Sequence, residues 1–437
     1  MQTTVKKSVI NNAAWIIACK IVQAVLRLVI TMLMARYLGP SNYGVISYAA
    51  SVVAFVVPIM QLGFRNTLVQ DFVNSPHNEG RILGTALGLN VLSAAACMVG
   101  VCAFSAVANA GEKSTIIVCA LYSTSLLFQA LEMCQYWFQS KLLSKYTSLT
   151  MLAAYVLVSV YKFIILLTHR SIYWFAVSDA IEYMLISVFL IYFYKKAGGQ
   201  RLSFSLSTGK SMFEKSRYYI VSNLMVTIFA QTDKIMLKLM SGDEITGYYS
   251  AAITCANITS FVFYAIIDSV RPSIFQNKNE NQQKFEESLS NLYSIIIYFS
   301  LVQSLAIAVF APLVVKILYG AQYEASVNVL RLVVWYTTFS HMGIVRNIWI
   351  LTEGKQKKLW IINLSGAMLN VVINYLLIPH FGAMGAAFAS LMTQIFTNVI
   401  LGFIMKSIRY NNTLMIKGLN PMPVIRMLKN TIRERKT

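Results

Sequence analysis

Long apolar stretches, separated by short polar and turn-forming clusters, recur along the whole chain. A helix that spans a membrane needs about 20 mostly apolar residues. Division of the sequence at its polar clusters predicts an all-α, polytopic membrane protein with twelve such helices. Their approximate bounds are residues 10–36, 44–65, 82–108, 115–138, 147–167, 172–194, 217–240, 246–271, 289–311, 324–351, 359–379 and 384–405.

The composition agrees with this pattern and excludes the classes of soluble protein. Of the 437 residues, 57% are hydrophobic and 12% are charged, and the mean hydropathy is +0.59. A soluble globular protein has about 25% charged residues. The six cysteines lie in or beside apolar stretches, without a Cys-x-x-Cys pair or a histidine cluster nearby. We therefore expect no disulfide, no metal and no cofactor.

The basic residues are distributed unevenly about the predicted helices. The chain has 37 Lys and Arg against 17 Asp and Glu, a formal net charge of +20. With a cytoplasmic N-terminus, most of the basic residues fall in cytoplasmic segments, as the positive-inside rule requires. We therefore predict that both termini are cytoplasmic and that the first apolar stretch is a retained helix. A nucleic acid is not an expected partner, because the positive charge belongs to the loops of a membrane protein.

The twelve predicted helices fall into two lobes of six. We predict an N-terminal lobe over residues 1–194, a basic cytoplasmic linker loop over 195–216, a C-terminal lobe over 217–405 and a basic cytoplasmic tail over 406–437. Because each lobe has an even number of helices, the two six-helix bundles are expected to be parallel repeats. Such repeats hold a substrate site between them near the midplane of the bilayer.

Two internal similarities support this duplication. The segments that follow helix 1 and helix 7 share a glycine, a serine and an alanine at a constant spacing of 203 residues. The matched pairs are Gly44 with Gly247, Ser47 with Ser250, and Ala49 with Ala252. A second similarity, at a spacing of 214 residues, relates the stretch 141–161 to the stretch 355–375.

Five short motifs are distributed over the chain. They are Tyr37-Leu-Gly-Pro-Ser-Asn-Tyr-Gly44, Gln135-Tyr-Trp-Phe-Gln139, Thr352-Glu-Gly-Lys-Gln-Lys357, the pair Asn370 and Asn374 before Ile378-Pro379, and Phe381-Gly-Ala-Met-Gly385-Ala-Ala-Phe-Ala-Ser390. In the order and spacing of these motifs, the chain resembles the polysaccharide flippases of the MOP (multidrug/oligosaccharidyl-lipid/polysaccharide) exporter superfamily. The resemblance covers nearly the whole chain and implies a MATE-like transporter that is not an enzyme.

The resemblance also implies a substrate and a location. Members of the family move an undecaprenyl-pyrophosphate-linked oligosaccharide, a repeat unit of O-antigen, capsule or exopolysaccharide, from the inner to the outer leaflet of the bacterial cytoplasmic membrane. The expected partners are this polyprenyl-pyrophosphate-linked oligosaccharide and the lipid bilayer. A polysaccharide polymerase and a chain-length regulator are further candidate partners.

Basic and amide side chains inside the predicted helices are the candidate substrate-binding residues. A charge at the bilayer centre costs at least about 2.5–3.5 kcal/mol, so each one needs a reason. Lys20 and Arg27 lie nearly two turns apart on one face of helix 1. Arginine offers a planar fork for phosphate oxygens and lysine a mobile charge. The candidates are Lys20, Gln23, Arg27, Gln231, Lys234, Arg331 and Arg346.

The acidic residues inside the helices have a different predicted role. Asp179 and Glu182 lie one helical turn apart, and with Asp233 they are the candidate residues for coupling to an ion. The alternative for any charge in the membrane is an ion pair or a position at the interface. We favour an ion pair or an interfacial position for Lys162, Arg331 and Arg346, which lie nearer helix ends.

Two other functions are compatible with the pattern. A multidrug or cation antiporter of the same fold would present acidic residues to its substrate and would not need Lys20 or Arg27. A membrane-embedded polysaccharide polymerase or ligase would need a large external loop with catalytic residues. Every predicted loop on the side opposite the termini is short, which argues against the enzyme.

Overall fold

The computed structural model describes the backbone of residues 2–426 and the side chains of residue 19 and residues 21–426. This part of the chain is built from α-helices, joined by short 3-10 turns and one π-helical segment, Phe396–Ile400. In chain order the α-helices are α1 Gln2–Met60, α2 Leu68–Asn74, α3 Glu79–Ala108, α4 Lys113–Ser123, α5 Ser125–Leu131, α6 Gln135–Ser140, α7 Ser144–Leu167, α8 Ile172–Lys196, α9 Leu206–Ser241, α10 Asp243–Ala256, α11 Ser260–Glu280, α12 Gln282–Val309, α13 Ala311–Leu318, α14 Ser326–Val333, α15 Trp335–Thr352, α16 Leu359–Ile395, α17 Leu401–Ile404 and α18 Arg409–Lys417.

The prediction of an all-α, polytopic membrane fold is confirmed. Among the described residues, seven helical stretches are long and apolar enough to cross a membrane, and eight if α10 and α11, bent by 41°, form one span. Two of the seven, Ile21–Met60 and Gln356–Ile404, are 40 and 49 residues long and exceed one bilayer crossing. Each divides at a glycine into two spans. The number of twelve stays a prediction, which counts the more polar α9 and the pair α14–α15 as further crossings.

The bounds of several helices differ from those expected. Helix α9 begins at Leu206 rather than near residue 217, and α12 begins at Gln282 rather than near residue 289. The apolar pattern detects the part of a helix that crosses the membrane, whereas the backbone continues as a helix through the polar residues beyond it. The predicted linker loop is therefore helical in its second half.

The helix breaks lie at glycines with positive φ. Gly39 has φ 74° and ψ 170°, and Gly242 has φ 87° and ψ −177°, a region of backbone conformation that is essentially restricted to glycine. These two glycines are separated by the same 203 residues as the sequence repeat. The repeated segments therefore share a backbone conformation as well as residue types. Gly382, with φ 52°, divides α16 in a similar way.

The chain forms two compact units, Met1–Gln231 and Thr232–Thr437, with the boundary inside α9. The core of the first unit contains Phe64, Phe138 and Leu190, which are fully buried. The core of the second contains Phe285 and Ile350, also fully buried. Each unit buries a separate apolar core, which agrees with duplication, whereas the lobe limits drawn from the sequence stay a prediction.

The first part of the predicted tail belongs to the second unit. Helix α18 buries Leu414 and Asn411, and the hydroxyl of Tyr293 on α12 donates a 3.0 Å hydrogen bond to Asn411 Oδ1. The hydroxyl of Ser294 donates to the carbonyl of Asn420 at 2.7 Å. Residues 411–420 therefore contact α12, and residues 427–437 of the tail lie outside the described part.

Replacement of Gly242 by alanine tests whether the helix break requires glycine. A Cβ at Gly242 would meet no atom within 4 Å, so any loss of stability comes from the backbone conformation. We expect Gly242→Ala to lower the free energy of unfolding by about 1–3 kcal/mol in detergent, measured by thermal unfolding. Gly100→Ala, also without a neighbour within 4 Å but in regular helix, should be neutral or stabilising. Equal effects at the two positions would contradict this explanation.

Candidate functional site

Four charged residues of the first unit line one cavity of about 180 Å³. Arg27 extends from α1, Lys162 from α7, and Asp179 and Glu182 from successive turns of α8. Arg27 Nη2 lies 3.4 Å from Glu182 Oε1, and Lys162 Nζ lies 3.3 Å from Asp179 Oδ1. The hydroxyl of Tyr122 donates a hydrogen bond to Asp179 Oδ2. Two ion pairs therefore lie side by side in the cavity, at a formal charge of zero.

The two ion pairs differ in how much of the basic side chain is exposed. The Arg27 side chain is 68% exposed, whereas the Lys162 side chain is 12% exposed. The Arg27 guanidinium carbon also lies 5.2 Å from the centre of the Tyr155 ring. A guanidinium carries five N–H donors, and the contacts with Glu182 and Tyr155 leave others available. Arg27 can therefore bind an anionic ligand without complete loss of its pair.

The sequence predicted three of these residues as site residues, but it did not predict how they pair. Arg27, Asp179 and Glu182 were each predicted as site residues, and Lys162 was expected to pair or to lie at an interface. Its ion pair with Asp179 agrees with that alternative. The Arg27–Glu182 contact joins residues 155 positions apart. Side-chain spacing within one helix holds no information about such a pair, so its discovery required the fold.

A second polar cluster surrounds Asp233 in the second unit. The Asp233 carboxylate is 7% exposed and accepts four hydrogen bonds. Asn370 and Asn374 donate to Oδ1 at 2.9 and 2.6 Å. Tyr249 donates to Oδ2 at 2.5 Å, and Ser390 donates to the same oxygen. Both carboxylate oxygens of this buried residue therefore have hydrogen-bond partners within the second unit.

The break at Gly382 explains how one helix supplies three of these donors. Asn370 and Asn374 are four residues apart and therefore lie on one face of the first part of α16. Ser390 lies beyond Gly382, in the second part of the same helix. The change of direction at Gly382 allows both parts of α16 to reach Asp233. The two asparagines and Ser390 belong to motifs of the family, but the sequence has no signal that links these residues or Tyr249 to Asp233.

The cluster around Asp233 has the ligand types of a site for a small hard cation. Such ions prefer carboxylate, amide carbonyl and hydroxyl oxygens. Asn374 Oδ1 is buried without a hydrogen-bond partner. A half-turn of this amide would direct Oδ1 towards the carboxylate instead of Nδ2. The residues present therefore fit a proton or a monovalent cation at Asp233.

The remaining predicted residues are dispersed. Gln23, Gln231 and Lys234 are half-buried, and the side chain of Lys20 lies outside the described part. Two arginines of the second unit lie elsewhere. Arg331 lines a separate cavity of about 460 Å³, where Nη1 donates to Asn328. Arg346, 5% exposed, donates to the carbonyl of Thr397 at 2.6 Å. Their assignment to substrate stays a prediction.

Known proteins with a similar sequence or structure agree with this fold. A family model described as "Polysaccharide biosynthesis protein" matches residues 33–328. The probable low-salt glycan biosynthesis flippase Agl15 of Haloferax volcanii is 25% identical over 194 residues, 43% of this chain. That match covers 40% of Agl15, less than half of its length. The capsular polysaccharide biosynthesis protein CapF of Staphylococcus aureus is 20% identical over 396 residues, 88% of this chain and 96% of CapF.

A solved structure extends the similarity to the whole fold. The lipid II flippase MurJ, in an inward closed conformation, superposes with a TM-score of 0.74 and 14% sequence identity. The superposition covers 95% of this chain and 92% of MurJ. At this identity the match shows the fold alone. The family model confirms the predicted resemblance, and the superposition confirms the predicted fold class.

A double-mutant cycle tests whether Asn374 serves the Asp233 carboxylate. Asn374→Ala removes a donor at 2.6 Å from a buried charge, so we expect the free energy of unfolding to fall by about 1–3 kcal/mol. In an Asp233→Ala background the same substitution should cost less than about 0.5 kcal/mol, because the acceptor is already absent. Thermal unfolding of the four variants in detergent measures the difference. Additive effects would show that Asn374 acts independently of Asp233.

Proposed function

Because this chain belongs to the polysaccharide biosynthesis protein family, we propose that it flips a lipid-linked oligosaccharide across a membrane. The substrate class is an undecaprenyl-pyrophosphate-linked oligosaccharide repeat unit for a surface polysaccharide. The membrane is the bacterial cytoplasmic membrane, with both termini of the chain in the cytoplasm. The protein acts by alternating access and leaves the covalent structure of the sugar unchanged. A polysaccharide polymerase and a chain-length regulator are the proposed partners downstream.

The exposed guanidinium of Arg27 is the observation that carries this proposal. Arg27 lies within a stretch, Ile21–Met60, that is apolar enough to cross a membrane, where a charge is expensive. Its side chain is nevertheless 68% exposed and, among the residues that the structure describes, has a single carboxylate contact, at 3.4 Å. A pyrophosphate supplies the planar oxygen pairs that a guanidinium binds with two hydrogen bonds. Arg27 is therefore the proposed ligand of the pyrophosphate, with Lys20 and Lys234 as further proposed cations.

The membrane potential supports movement in the proposed direction. An inside-negative potential drives negative charge outward. Outward transfer of two negative charges is therefore favourable by about 4–5 kcal/mol at about 100 mV. Charges of the protein that move with the substrate reduce this value. The return of the empty carrier needs a separate driving force, and we propose that cation binding at Asp233 provides it.

Flipping measured in proteoliposomes tests the role of Arg27. We expect Arg27→Gln to slow transbilayer movement of an undecaprenyl-pyrophosphate oligosaccharide by at least about tenfold, because two charge-assisted hydrogen bonds are lost. The double variant Arg27→Gln with Glu182→Gln keeps the formal charge of the cavity and should be equally slow. Arg170→Gln, at an exposed arginine between α7 and α8, is the matched control. Flipping at the wild-type rate by a folded double variant would refute the assignment.

The charge balance of the first cavity favours a second candidate function, that of a multidrug or cation antiporter. Asp179 and Glu182 place two carboxylates beside the two cations, and a cationic substrate would seek those acids. The same proteoliposomes distinguish the two functions. Uptake of an organic cation that is lost in Asp179→Asn, with no movement of the lipid-linked oligosaccharide, would favour the antiporter.

Substitution of Asp233 tests the proposed coupling to an ion. We expect Asp233→Asn to abolish the dependence of flipping on an imposed sodium or proton gradient, because the amide removes the one carboxylate of the cluster. Ser390→Ala keeps the carboxylate but removes one oxygen, so the cation concentration for half-maximal flipping should rise. Asp268→Asn, at an exposed acid paired with Arg271, is the control. An unchanged gradient dependence in Asp233→Asn would exclude this site from coupling.

A further inference from the structure

A cavity of the second unit lies at the predicted external ends of two membrane-crossing segments. Its volume is about 460 Å³, and it is formed by α13, the 3-10 turn Ala321–Tyr323 and α14. Lys316 and Arg331 supply two cations, and Glu324 supplies one carboxylate. The rest of the lining includes one amide and three larger apolar side chains, those of Asn328, Pro312, Val315 and Val327. The formal charge of the lining is therefore +1.

The turn between α13 and α14 brings these charges together. Gly320 has φ 88° and ψ 175°, a backbone conformation that is essentially restricted to glycine. The chain therefore changes direction directly after α13. Tyr319 and Tyr323 are fully buried before and after this glycine, and they attach the turn to the second unit. Lys316 and Arg331, which belong to different helices, consequently line one cavity.

Two cations in one cavity are unexpected on this side of the membrane, because basic residues are infrequent in external segments. Lys316 lies between the predicted spans 289–311 and 324–351, and Arg331 lies near the start of the second span. Arg331 is exposed, and its one side-chain hydrogen bond among the described residues runs from Nη1 to Asn328 Oδ1 at 3.3 Å. The guanidinium has a neutral partner only, so it can bind an anionic group.

The carboxylate of Glu324 is open to a ligand as well. Glu324 is exposed, and its side chain has no hydrogen bond or ion pair with a residue that the structure describes. It lines the same cavity as Lys316 and Arg331 but pairs with neither. A carboxylate binds a protonated amine through charge-assisted hydrogen bonds. The cavity therefore matches a ligand in which an amine and an anionic group lie close together.

Two cations favour a phosphate as the anionic group of that ligand. A phosphate monoester carries a charge of about −1.5 to −2 at neutral pH and has three strong acceptor oxygens. It can therefore bind the planar fork of Arg331 and the ammonium of Lys316 at the same time. With its amine, such a ligand has a net charge close to −1, which balances the +1 of the lining.

The surface of α13 beside the cavity is apolar and exposed. Leu313 and Ile317 are 54% and 59% exposed, and Leu313 lies one helical turn from Lys316. A helix with both a charged and an exposed apolar face suits the boundary between lipid head groups and acyl chains. A lipid whose head group enters the cavity would therefore place its acyl chains on Leu313 and Ile317.

We propose that this cavity binds a phosphate that carries a primary amine, as in phosphoethanolamine or the head group of phosphatidylethanolamine. Lys316 and Arg331 bind the phosphate oxygens, and Glu324 accepts hydrogen bonds from the ammonium. Arg331 is thereby assigned to this ligand and not to the pyrophosphate of the flipped substrate. The site is independent of the proposed flipping, since none of its residues belongs to the Arg27 cavity or to the Asp233 cluster.

Binding to the purified full-length protein in an uncharged detergent tests the site. Calorimetric titration compares phosphoethanolamine with phosphocholine, whose quaternary ammonium has no N–H to donate to Glu324. We expect phosphoethanolamine to bind at least about tenfold more tightly, because phosphocholine loses a charge-assisted hydrogen bond. Arg331→Gln should weaken phosphoethanolamine binding by at least about tenfold for the same reason. Arg170→Gln, at an exposed arginine outside the lining, should not change it.

Substitution of the acid tests the selectivity for the amine. Glu324→Gln should remove the preference for phosphoethanolamine over phosphocholine, because the amide no longer compensates the ammonium charge. Glu287→Gln, at an exposed acid outside the lining, should keep the preference. A preference that is unchanged in Glu324→Gln would exclude this carboxylate from the site.

A short-chain lipid, dihexanoyl phosphatidylethanolamine, identifies the source of the phosphate. Tighter binding than that of phosphoethanolamine, by at least about tenfold and lost in Leu313→Ser, would assign the site to a lipid head group. Equal affinity of the two compounds would assign it to a soluble phosphate. Equal binding of phosphoethanolamine by the wild type and Arg331→Gln, no preference over phosphocholine, or no binding of either amine would overturn the proposal even if flipping is normal.

Discussion

Every backbone amide and carbonyl inside a bilayer must find its hydrogen-bond partner within the protein, because hydrocarbon supplies none. Continuous helices satisfy this constraint, and α1 and α16 are helical on both sides of the glycine at which each changes direction. The changes come at Gly39, Gly242 and Gly382, whose positive φ values other residues rarely adopt. At these three positions, a glycine therefore determines where the chain changes direction in the membrane region.

Charged side chains in the bilayer also need partners within the protein. Some have such partners, whereas others leave hydrogen-bonding groups available. Asp233 has four donors around its carboxylate, and Arg346 donates to the carbonyl of Thr397 within the π-helical segment. Segments of π-helix free backbone groups from regular pairing and often mark functional positions. The Asp233 carboxylate is satisfied within the protein, whereas Arg346 keeps a buried Nε without a hydrogen-bond partner among the described residues. Arg27 differs, because its side chain is mostly exposed and has one carboxylate contact, so its binding capacity is largely unused.

The sequence was informative wherever one helix or one segment determined the outcome. Apolar stretches predicted the helices, and the spacing between Gly44 and Gly247 predicted a repeat. Gly39 and Gly242 have the same spacing and similar backbone angles, so the repeat includes the backbone conformation. The sequence did not predict contacts between helices that are distant along the chain. Glu182 and Arg27 are paired across 155 positions, and Ser390 reaches Asp233 across 157. Those contacts depend on helix packing and on the bend at Gly382, which residue spacing does not encode.

The pairing of Arg27 with Glu182 suits a carrier better than an unpaired arginine would. A carrier must bind its substrate on one side and release it on the other, so very tight binding would stop the cycle. In the cycle that we propose, a pyrophosphate at Arg27 would compete with Glu182, which lies 3.4 Å from the guanidinium. When the substrate leaves, the carboxylate again compensates the charge, and the empty carrier avoids an unpaired cation in the membrane. In this proposal, the contact between Glu182 and Arg27 therefore limits the affinity for the substrate. The same contact stabilises the empty carrier.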